Sequence, residues 1–215
     1  EYTPKLSLEG IGQPSVAIGV NRFGAAFGAG LSLNFGDMLG NHMLATAVQF
    51  NSGFTGGFSM KDTAAQAGYF NQAHRWNWGV VGGQVPYLSG GFRSGIGTLQ
   101  GEPVLVEQMI IFRQTEQSAS GVTVYPFDRT RRVELAGGLT QVSFDQIVQT
   151  TTYSLRTGRV VADTTAESSL TPTLTLGTSS AAFVFDRANL GATSPVQGRR
   201  YRLEAAPTFG TINFT

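Results

Sequence analysis

The sequence of 215 residues contains no cysteine and few charged side chains. The absence of cysteine excludes disulfide scaffolds, thiolate metal sites and cysteine nucleophiles. Asp, Glu, Lys and Arg make up 13% of the chain, about half of their usual share in a soluble domain. A soluble domain needs a charged surface, whereas a membrane barrel has an outer band that faces lipid and a neutral, polar interior. The scarcity of charge therefore favours a chain embedded in a membrane.

The sequence also lacks a basic patch, a long apolar run and a leader. The net charge is +1, and the longest basic cluster, Arg129, Arg131 and Arg132 beside Asp128, is interpreted as a solvated turn rather than a phosphate site. We therefore expect no nucleic-acid partner. No run approaches 18 consecutive apolar residues, so no membrane-spanning helix is predicted, while barrel strands need no such run. Because no signal peptide begins at Glu1, we expect that it was removed or that the chain begins inside a longer protein.

Alternation with a period of two is the dominant pattern that is present. From residue 25 to residue 36, odd positions are apolar and even positions are small or polar, with Phe27, Leu31, Leu33 and Phe35 opposing Gly28, Gly30, Ser32 and Asn34. Soluble strands usually run for ~5–6 residues, whereas a tilted membrane-spanning strand needs ~9–11. The length of this stretch favours a membrane-spanning strand.

A second alternating stretch lies near the end of the chain. Tyr201, Leu203 and Ala205 form an apolar row, and Arg200, Arg202 and Glu204 lie on the other side. A hydrated interior accepts three charges in a row, but Arg or Lys on a lipid face costs ~2–4 kcal/mol at the midplane. The stretch therefore predicts one lipid-facing side and one side that faces a lumen.

Turn signals divide the sequence into about ten predicted strands. They cover residues 5–20, 24–36, 42–52, 64–72, 75–87, 103–114, 117–127, 131–153, 171–186 and 199–214. Turns are predicted at 21–24, 36–41, 128–131 and 156–159, and the glycine- or threonine-rich segments 52–63, 88–102 and 155–170 are predicted to be longer connections. We predict an all-β fold, an antiparallel up-and-down transmembrane β-barrel, as a single domain over residues 1–215 that forms part of a longer chain.

Aromatic residues cluster near the predicted strand ends. Trp76, Trp78, Tyr87, Tyr125 and Phe127 are predicted to form part of an aromatic girdle at the depth of the lipid headgroups. The alternative interpretation is that these residues are core aromatics of a β-sandwich.

Two segments resemble a known family. The sequence GAGLSLNFGDMLGNHMLATAVQFN, residues 28–51, resembles the opening strands of the bacterial surface-antigen barrels, the superfamily of BamA- and TamA-type assembly factors. FVFDRANLGATSPVQGRRYRLEAAPTFG, residues 183–210, resembles a hairpin of that superfamily, with Asp186, Arg187, Pro195, Gly198 and Arg200 at the matching positions. The middle of the chain is similar to barrels that follow a TolB-like propeller in very large bacterial proteins.

The resemblance implies a location in the bacterial outer membrane, contact with membrane lipid, and outer-membrane or secreted proteins as clients. It further implies lateral access at a weak strand seam, where unpaired edge groups template a client strand. The complete family barrel has more strands than the ten predicted here, and the family's late Arg-Gly-Phe loop motif is absent. We therefore expect the chain to be a fragment of the barrel. Either these strands close a small barrel themselves, or the missing strands close it.

The candidate site residues are charged side chains, and none is predicted to be catalytic. Asp186, Arg187, Arg200, Arg202 and Glu204 are predicted to form a cluster in the lumen or at a turn, and the alternative is that they are exposed turn charges. His42 and His74 are interpreted as polar residues at strand ends, because a zinc site needs three or four ligands. The sequence has no nucleophile elbow and nothing that selects a pair of carboxylates. We expect that the protein is not an enzyme and that it binds no cofactor and no metal ion.

Three functions remain open at this point. The first is a membrane barrel involved in outer-membrane protein assembly or translocation. The second is a passive outer-membrane channel or an anchor barrel that holds another domain. The third is a soluble all-β binding module.

Overall fold

In the computed structural model, residues 3–21, 24–52, 59–187, 189–190 and 195–211 are described, and they fold almost entirely into β-strands. The strands are β1 Ser7–Ile11, β2 Ser15–Asn21, β3 Gly24–Gly36, β4 His42–Asn51, β5 Ala64–Asn71, β6 Asn77–Leu99, β7 Glu102–Pro126, β8 Arg131–Ser154, β9 Val160–Asp186, β10 Asn189–Leu190, β11 Pro195–Gln197, β12 Arg200–Ala205 and β13 Thr208–Gly210. A short 3-10 turn, η1, covers Met60–Asp62.

Eleven of these strands form one antiparallel sheet in which neighbours in sequence are neighbours in space. The order is β1-β3-β4-β5-β6-β7-β8-β9-β12, while β2 also pairs with β3 and β13 also pairs with β9. β10 and β11 form a separate small hairpin. The prediction of an all-β, antiparallel, up-and-down sheet is therefore confirmed. Among the described residues the sheet is open, because the β1/β2 edge and the β12/β13 edge do not pair with each other.

The two outermost strands are each interrupted once. β1 and β2 both pair with β3 and are separated at residues 12–14, and β12 and β13 both pair with β9 and are separated at residues 206–207. Pro14 and Pro207 lie in these two breaks, and proline has no backbone N–H to donate to a ladder. The strands predicted at 5–20 and 199–214 are thus each two shorter strands in the described part of the chain.

Three of the four central strands, β6, β7 and β9, are much longer than predicted, whereas β8 matches its predicted span of 131–153 to within one residue. The segment 88–102, predicted as a connection, continues β6 to a two-residue turn, and most of the predicted connection 155–170 belongs to β9. The segments 103–114 and 117–127 are one strand, β7. Glycine misled the prediction, because Gly90, Gly91, Gly95 and Gly97 each lie directly opposite a branched residue of β7. Residue-by-residue pairing with β7 holds this glycine-rich segment in a strand.

The pairing register assigns every strand residue to one of two faces. Residues directly opposite each other in an antiparallel ladder share a face, and successive residues alternate. One face, called the outer face, carries Phe35, Tyr69, Trp78, Tyr125 and Phe183. The other, called the inner face, carries mainly small residues near the same ends of the strands, such as Gly28, Ser32, Gly79, Ser120 and Ala136.

The sheet curls towards the inner face. A cavity of about 360 Å³ is lined by Gly79 and Val81 of β6 and also by Glu204 and Thr208 at the far side of the sheet. Three strands lie between β6 and β12, and a flat sheet would place those two strands ~19 Å apart at ~4.8 Å per step. One small cavity reaches both strands because the sheet bends around it, with the small inner-face residues on the concave side.

Candidate membrane-facing surface

The outer face carries an apolar band without charge along the ends of the strands near Trp78. Across β3 to β9 and β12 its residues include Phe35, Leu44, Val80, Leu135 and Leu203, and among the described residues of this band none is Asp, Glu, Lys or Arg. Many of the side chains are exposed, Leu135 by 42% and Leu139 by 60%. In water, such a continuous exposed apolar surface marks a site of contact with a membrane or a partner.

Aromatic side chains form one border of this band. His42 Nδ1 lies 2.7 Å from the Tyr69 hydroxyl, and the rings of Tyr69 and Trp78 are 5.5 Å apart. Further along, the ring centroids of Trp76 and Tyr125 are 4.9 Å apart, and those of Tyr125 and Phe127 are 5.4 Å apart. Across β9 and β12, the rings of Phe185 and Tyr201 stack at 4.9 Å.

Four of the five residues predicted for the aromatic girdle lie together in this border. Trp76, Trp78, Tyr125 and Phe127 share it, with the Arg75 guanidinium 5.0 Å from the Tyr125 ring centroid. Tyr87 is elsewhere, because it lies nine residues beyond Trp78 on the inner face of β6. Alternation within one strand already separates Tyr87 from Trp78, because residues nine positions apart lie on opposite faces.

Side-chain amides form the opposite border. Gln84, Gln117 and Gln141 are adjacent in the ladders of β6, β7 and β8, on the outer face. Gln117 Nε2 donates a hydrogen bond of 2.8 Å to Gln84 Oε1, and Gln84 Nε2 donates to the backbone carbonyls of Met60 and Thr63. Counted along β7, Phe127 and Gln117 are separated by ~34 Å at ~3.4 Å per residue, or ~26 Å at a barrel-like tilt of ~40°. An outer-membrane barrel has an apolar band ~25 Å tall.

Charges on the outer face begin beyond the amide border. Arg113 of β7 is only 2% exposed and contacts three carboxylates, Asp62 of η1 at 3.2 Å, Asp145 of β8 at 3.1 Å, and Glu167 of β9. Lys61 lies 2.7 Å from Glu167. We call these five residues the upper charge cluster. It attaches η1 to the sheet, because η1 contributes both a cation and an anion to it.

Two members of the cluster, Arg113 and Glu167, have pKa values shifted in the direction that favours their ionised forms. Burial disfavours the Arg113 cation, but hydrogen bonds to Asp145 and Asp62 and the charge of Glu167 outweigh it, so the pKa of Arg113 is raised above its ordinary value. The hydrogen bond from Lys61 and the charge of Arg113 hold the pKa of Glu167 below its ordinary value, against the effect of burial.

A second hydrophobic cluster lies above the charges on the same face. Met109, Ile111 and Ile147 are buried together, and Leu88 packs against them. The long ends of β6 to β9 therefore have a small core of their own, separated from the apolar band by the amide border and the upper charge cluster.

The inner face carries the charges of the band region. Arg202 donates hydrogen bonds to Glu134 and, at 2.7 Å, to Glu204, while Arg132 donates to Glu134 at 2.6 Å. The four side chains alternate in sign, so each cation lies beside a carboxylate. We call them the inner charge network. Its two arginines and two glutamates cancel in net charge.

The five charges predicted as one cluster fall into two groups. Arg202 and Glu204 belong to the inner charge network, whereas Arg200 pairs with Asp186 at 3.4 Å at the strand end. Arg187 donates its backbone N–H to the carbonyl of Arg199 in the turn beside them. The prediction missed Arg132 and Glu134, although the alternation of β8 places them on one face. The partnership across β8, β9 and β12 was not visible in the sequence.

The basic cluster near residue 130 is a hairpin turn, as predicted. Asp128 accepts hydrogen bonds from the backbone and side chain of Thr130 and from Arg131, and these bonds hold the pKa of Asp128 well below its ordinary value. The predicted turn at 36–41 is also present, with Asp37 accepting a hydrogen bond of 2.8 Å from the His42 N–H. The turn predicted at 21–24 lies partly outside the described residues.

His42 and His74 both lie at strand ends, the first at the start of β4 and the second in the bend between β5 and β6. Within the described part of the chain, no group of three His, Cys, Asp or Glu side chains is placed to hold a metal ion. Among the same residues, no helix has the length and apolar character required to cross a bilayer.

Comparison with known proteins gave no relative. No family model, no curated protein and no solved structure matches the chain.

Proposed function

We propose that the chain is a wall of a bacterial outer-membrane β-barrel of the surface-antigen and assembly-factor type, with its outer face towards lipid. The observation that carries the proposal is the division of charge between the faces. Over the band between the aromatic and amide borders, all charged side chains of the described strands lie on the concave inner face. Lipid demands such an asymmetry, whereas water on both sides would accept charge on either face.

We further propose that this wall takes part in the assembly or translocation of other outer-membrane proteins. The described sheet ends in two strands, β1/β2 and β12/β13, that are short, interrupted by proline and paired on one side only. Strand edges that keep unpaired N–H and C=O groups can accept an added strand from a client chain. The test is whether the protein accelerates the folding of a barrel client into lipid vesicles.

Anchoring is the second candidate function, and the long strands favour it. β6 to β9 continue past the amide border with a hydrophobic cluster of their own. An anchor would use the barrel only to hold this extension outside the membrane. A channel would also pass solutes through the lumen. A steady ohmic conductance in planar bilayers, without acceleration of client folding, would favour a channel, and the absence of both would favour an anchor.

The membrane assignment is tested by two neighbouring arginine substitutions on β8. Leu135→Arg places a cation on the exposed outer face, and Ala136→Arg places one on the exposed inner face. In vesicles we expect Leu135→Arg to lower the free energy of unfolding by ~2–4 kcal/mol and Ala136→Arg to lower it by much less. Denaturant titrations of both variants in vesicles measure the difference. If the protein is instead a soluble module, it folds without detergent and both arginines are equally tolerated.

A further inference from the structure

A groove crosses the outer face inside the apolar band. It has a volume of about 650 Å³, and its floor consists of residues with little or no side chain. The floor is formed by Ala67, Gly82, Ala119, Gly121 and Gly137. Tyr69 and Val80 stand on one side of the floor and Leu139 on the other. Small residues from four neighbouring strands therefore create one depression in a surface that otherwise carries large apolar side chains.

We propose that this groove is a binding site for one hydrocarbon chain of an ester- or amide-linked membrane lipid. The proposal rests on the proposed function, because it requires the outer face to meet lipid. It goes further because it assigns one acyl chain to a preferred position, whereas the lipid in contact with the rest of the band exchanges.

The lining determines the chemistry of the occupant. No charged side chain lines the groove, and its walls are aliphatic or aromatic. A volume of this size lies within the ~300–1,000 Å³ typical of small-molecule sites. An alkyl chain fits the groove because it fills apolar space without needing a hydrogen bond.

The amide border determines where the polar end of the bound lipid lies. Gln141 follows the wall residue Leu139 on the same face, ~7 Å further along β8. Its side chain is exposed, and none of the described residues hydrogen-bonds to it. Gln117 and Gln84, by contrast, bond to each other. The free amide of Gln141 can donate to the carbonyl that joins an acyl chain to its headgroup, which fixes the direction in which the chain lies.

The glycines allow the groove to be filled without disturbing the sheet. A Cβ atom added at Gly121 would lie 3.7 Å from its nearest neighbour, and one at Gly137 also 3.7 Å, which are ordinary contact distances. Gly121→Val and Gly137→Val therefore place methyl groups in the groove and suit a strand. Gly95→Val is the matched control, because nothing lies within 4 Å of a Cβ there and Gly95 is outside the band.

The experiment uses the chain in vesicles of phosphatidylethanolamine and phosphatidylglycerol that contain a phospholipid with a diazirine on one acyl chain. After illumination, labelled residues are mapped by mass spectrometry. We expect labelling of Leu139, Tyr69 and Val80 to exceed that of Leu33 on β3, which faces the same side and does not line this groove. In Gly121→Val with Gly137→Val, labelling at the groove should fall about tenfold, from the loss of roughly two methylene contacts. The Gly95→Val control should retain it.

A second variant tests the direction of the chain. Gln141→Leu should reduce groove labelling about fivefold through the loss of one hydrogen bond, and Gln117→Leu, whose amide already has a partner, should reduce it less. Equal labelling of β3 and the groove, or crosslinks between two copies at the groove, would overturn the acyl-chain site. An absence of labelling over the whole outer face, including β3, would instead overturn the proposed membrane function.

Discussion

At the scale of single residues, Arg113 is the buried cation that balances the carboxylates of the upper charge cluster. It is almost completely buried, and three carboxylates from three different elements surround it. Arg113→Met leaves these carboxylates with Lys61 as their nearest cation. Removing one partner of a buried ion pair costs ~3–5 kcal/mol, because the remaining charge stays desolvated. We expect a loss of this order in the free energy of unfolding and faster hydrogen exchange at residues 59–63.

The control for this variant is Arg93→Met. Arg93 donates to Gln108 on the exposed surface of the same strand pair, so its loss should change the unfolding free energy by less than ~1 kcal/mol. Equal effects of the two substitutions would contradict the structural role assigned to Arg113.

Glu167 makes the docking of η1 dependent on pH. Because its pKa is lowered in the folded state, ionised Glu167 stabilises the docked form above the ordinary pKa of 4.5, and this contribution is lost as the pH falls through the lowered value. Amide exchange at residues 59–63 should therefore be steady from neutral pH to about 4.5, once corrected for intrinsic rates, and increase below it. Glu167→Gln should show faster exchange at neutral pH and a weaker response to acid. A wild-type response centred near pH 6–7 would be inconsistent with this carboxylate.

Single residues also show how far the sequence could predict the site. The alternation at 25–36 reproduces β3 almost to its ends, since hydrophobic periodicity is a local property. Arg113 could not be recognised, because its partners Asp62, Asp145 and Glu167 lie 51, 32 and 54 residues away in sequence. Local patterns give the face of a residue but not the residues that the register places beside it.

At the scale of elements, the β6–β7 hairpin shows the same limit. Its glycine-rich arm is predicted to be a loop, and it is a strand because it pairs with β7 along its whole length. The true turn is only Gln100 and Gly101, with φ angles of 51° and 83°. Positive φ at both central residues is the geometry of a type I′ turn, which favours Asn-Gly.

This turn is open to improvement by a single change. Gln100→Asn should raise the unfolding free energy by ~0.5–1 kcal/mol, because asparagine tolerates the left-handed region better than glutamine. Gly101→Val should lower the stability by at least ~1 kcal/mol, because a β-branched residue is strained at positive φ. Thermal unfolding measures both changes.

Gly97→Val separates backbone strain from side-chain size in the same hairpin. Gly97 has no positive φ, and nothing lies within 4 Å of an added Cβ atom. Valine there should be neutral or stabilising. Destabilisation at residues 97 and 101 alike would show that side-chain volume, and not the conformation of the turn, limits the hairpin.

At the scale of the whole molecule, the two tryptophans report the depth of the aromatic border. They are the only tryptophans in the chain, so Trp76→Phe leaves Trp78 as the sole tryptophan fluorophore. In vesicles, lipids brominated near the headgroup should quench Trp78 more strongly than lipids brominated near the chain terminus, as for an interfacial ring. Trp78→Phe should give the same order for Trp76. Stronger quenching by deep bromines would move the border to the bilayer centre and would contradict the proposed orientation.

The strands of the sheet have unequal lengths, so one edge of the wall is uneven. Beyond the amide border, β6 to β9 continue for about 15 residues, or ~50 Å at ~3.3 Å per residue, while β4 and β5 stop near that border. With the outer face in lipid, these four strands would extend beyond the bilayer along one part of the sheet. A large molecule approaching the membrane from that side would be blocked above β6 to β9 and would meet no such extension above β4 and β5, so access to the membrane would depend on the direction of approach.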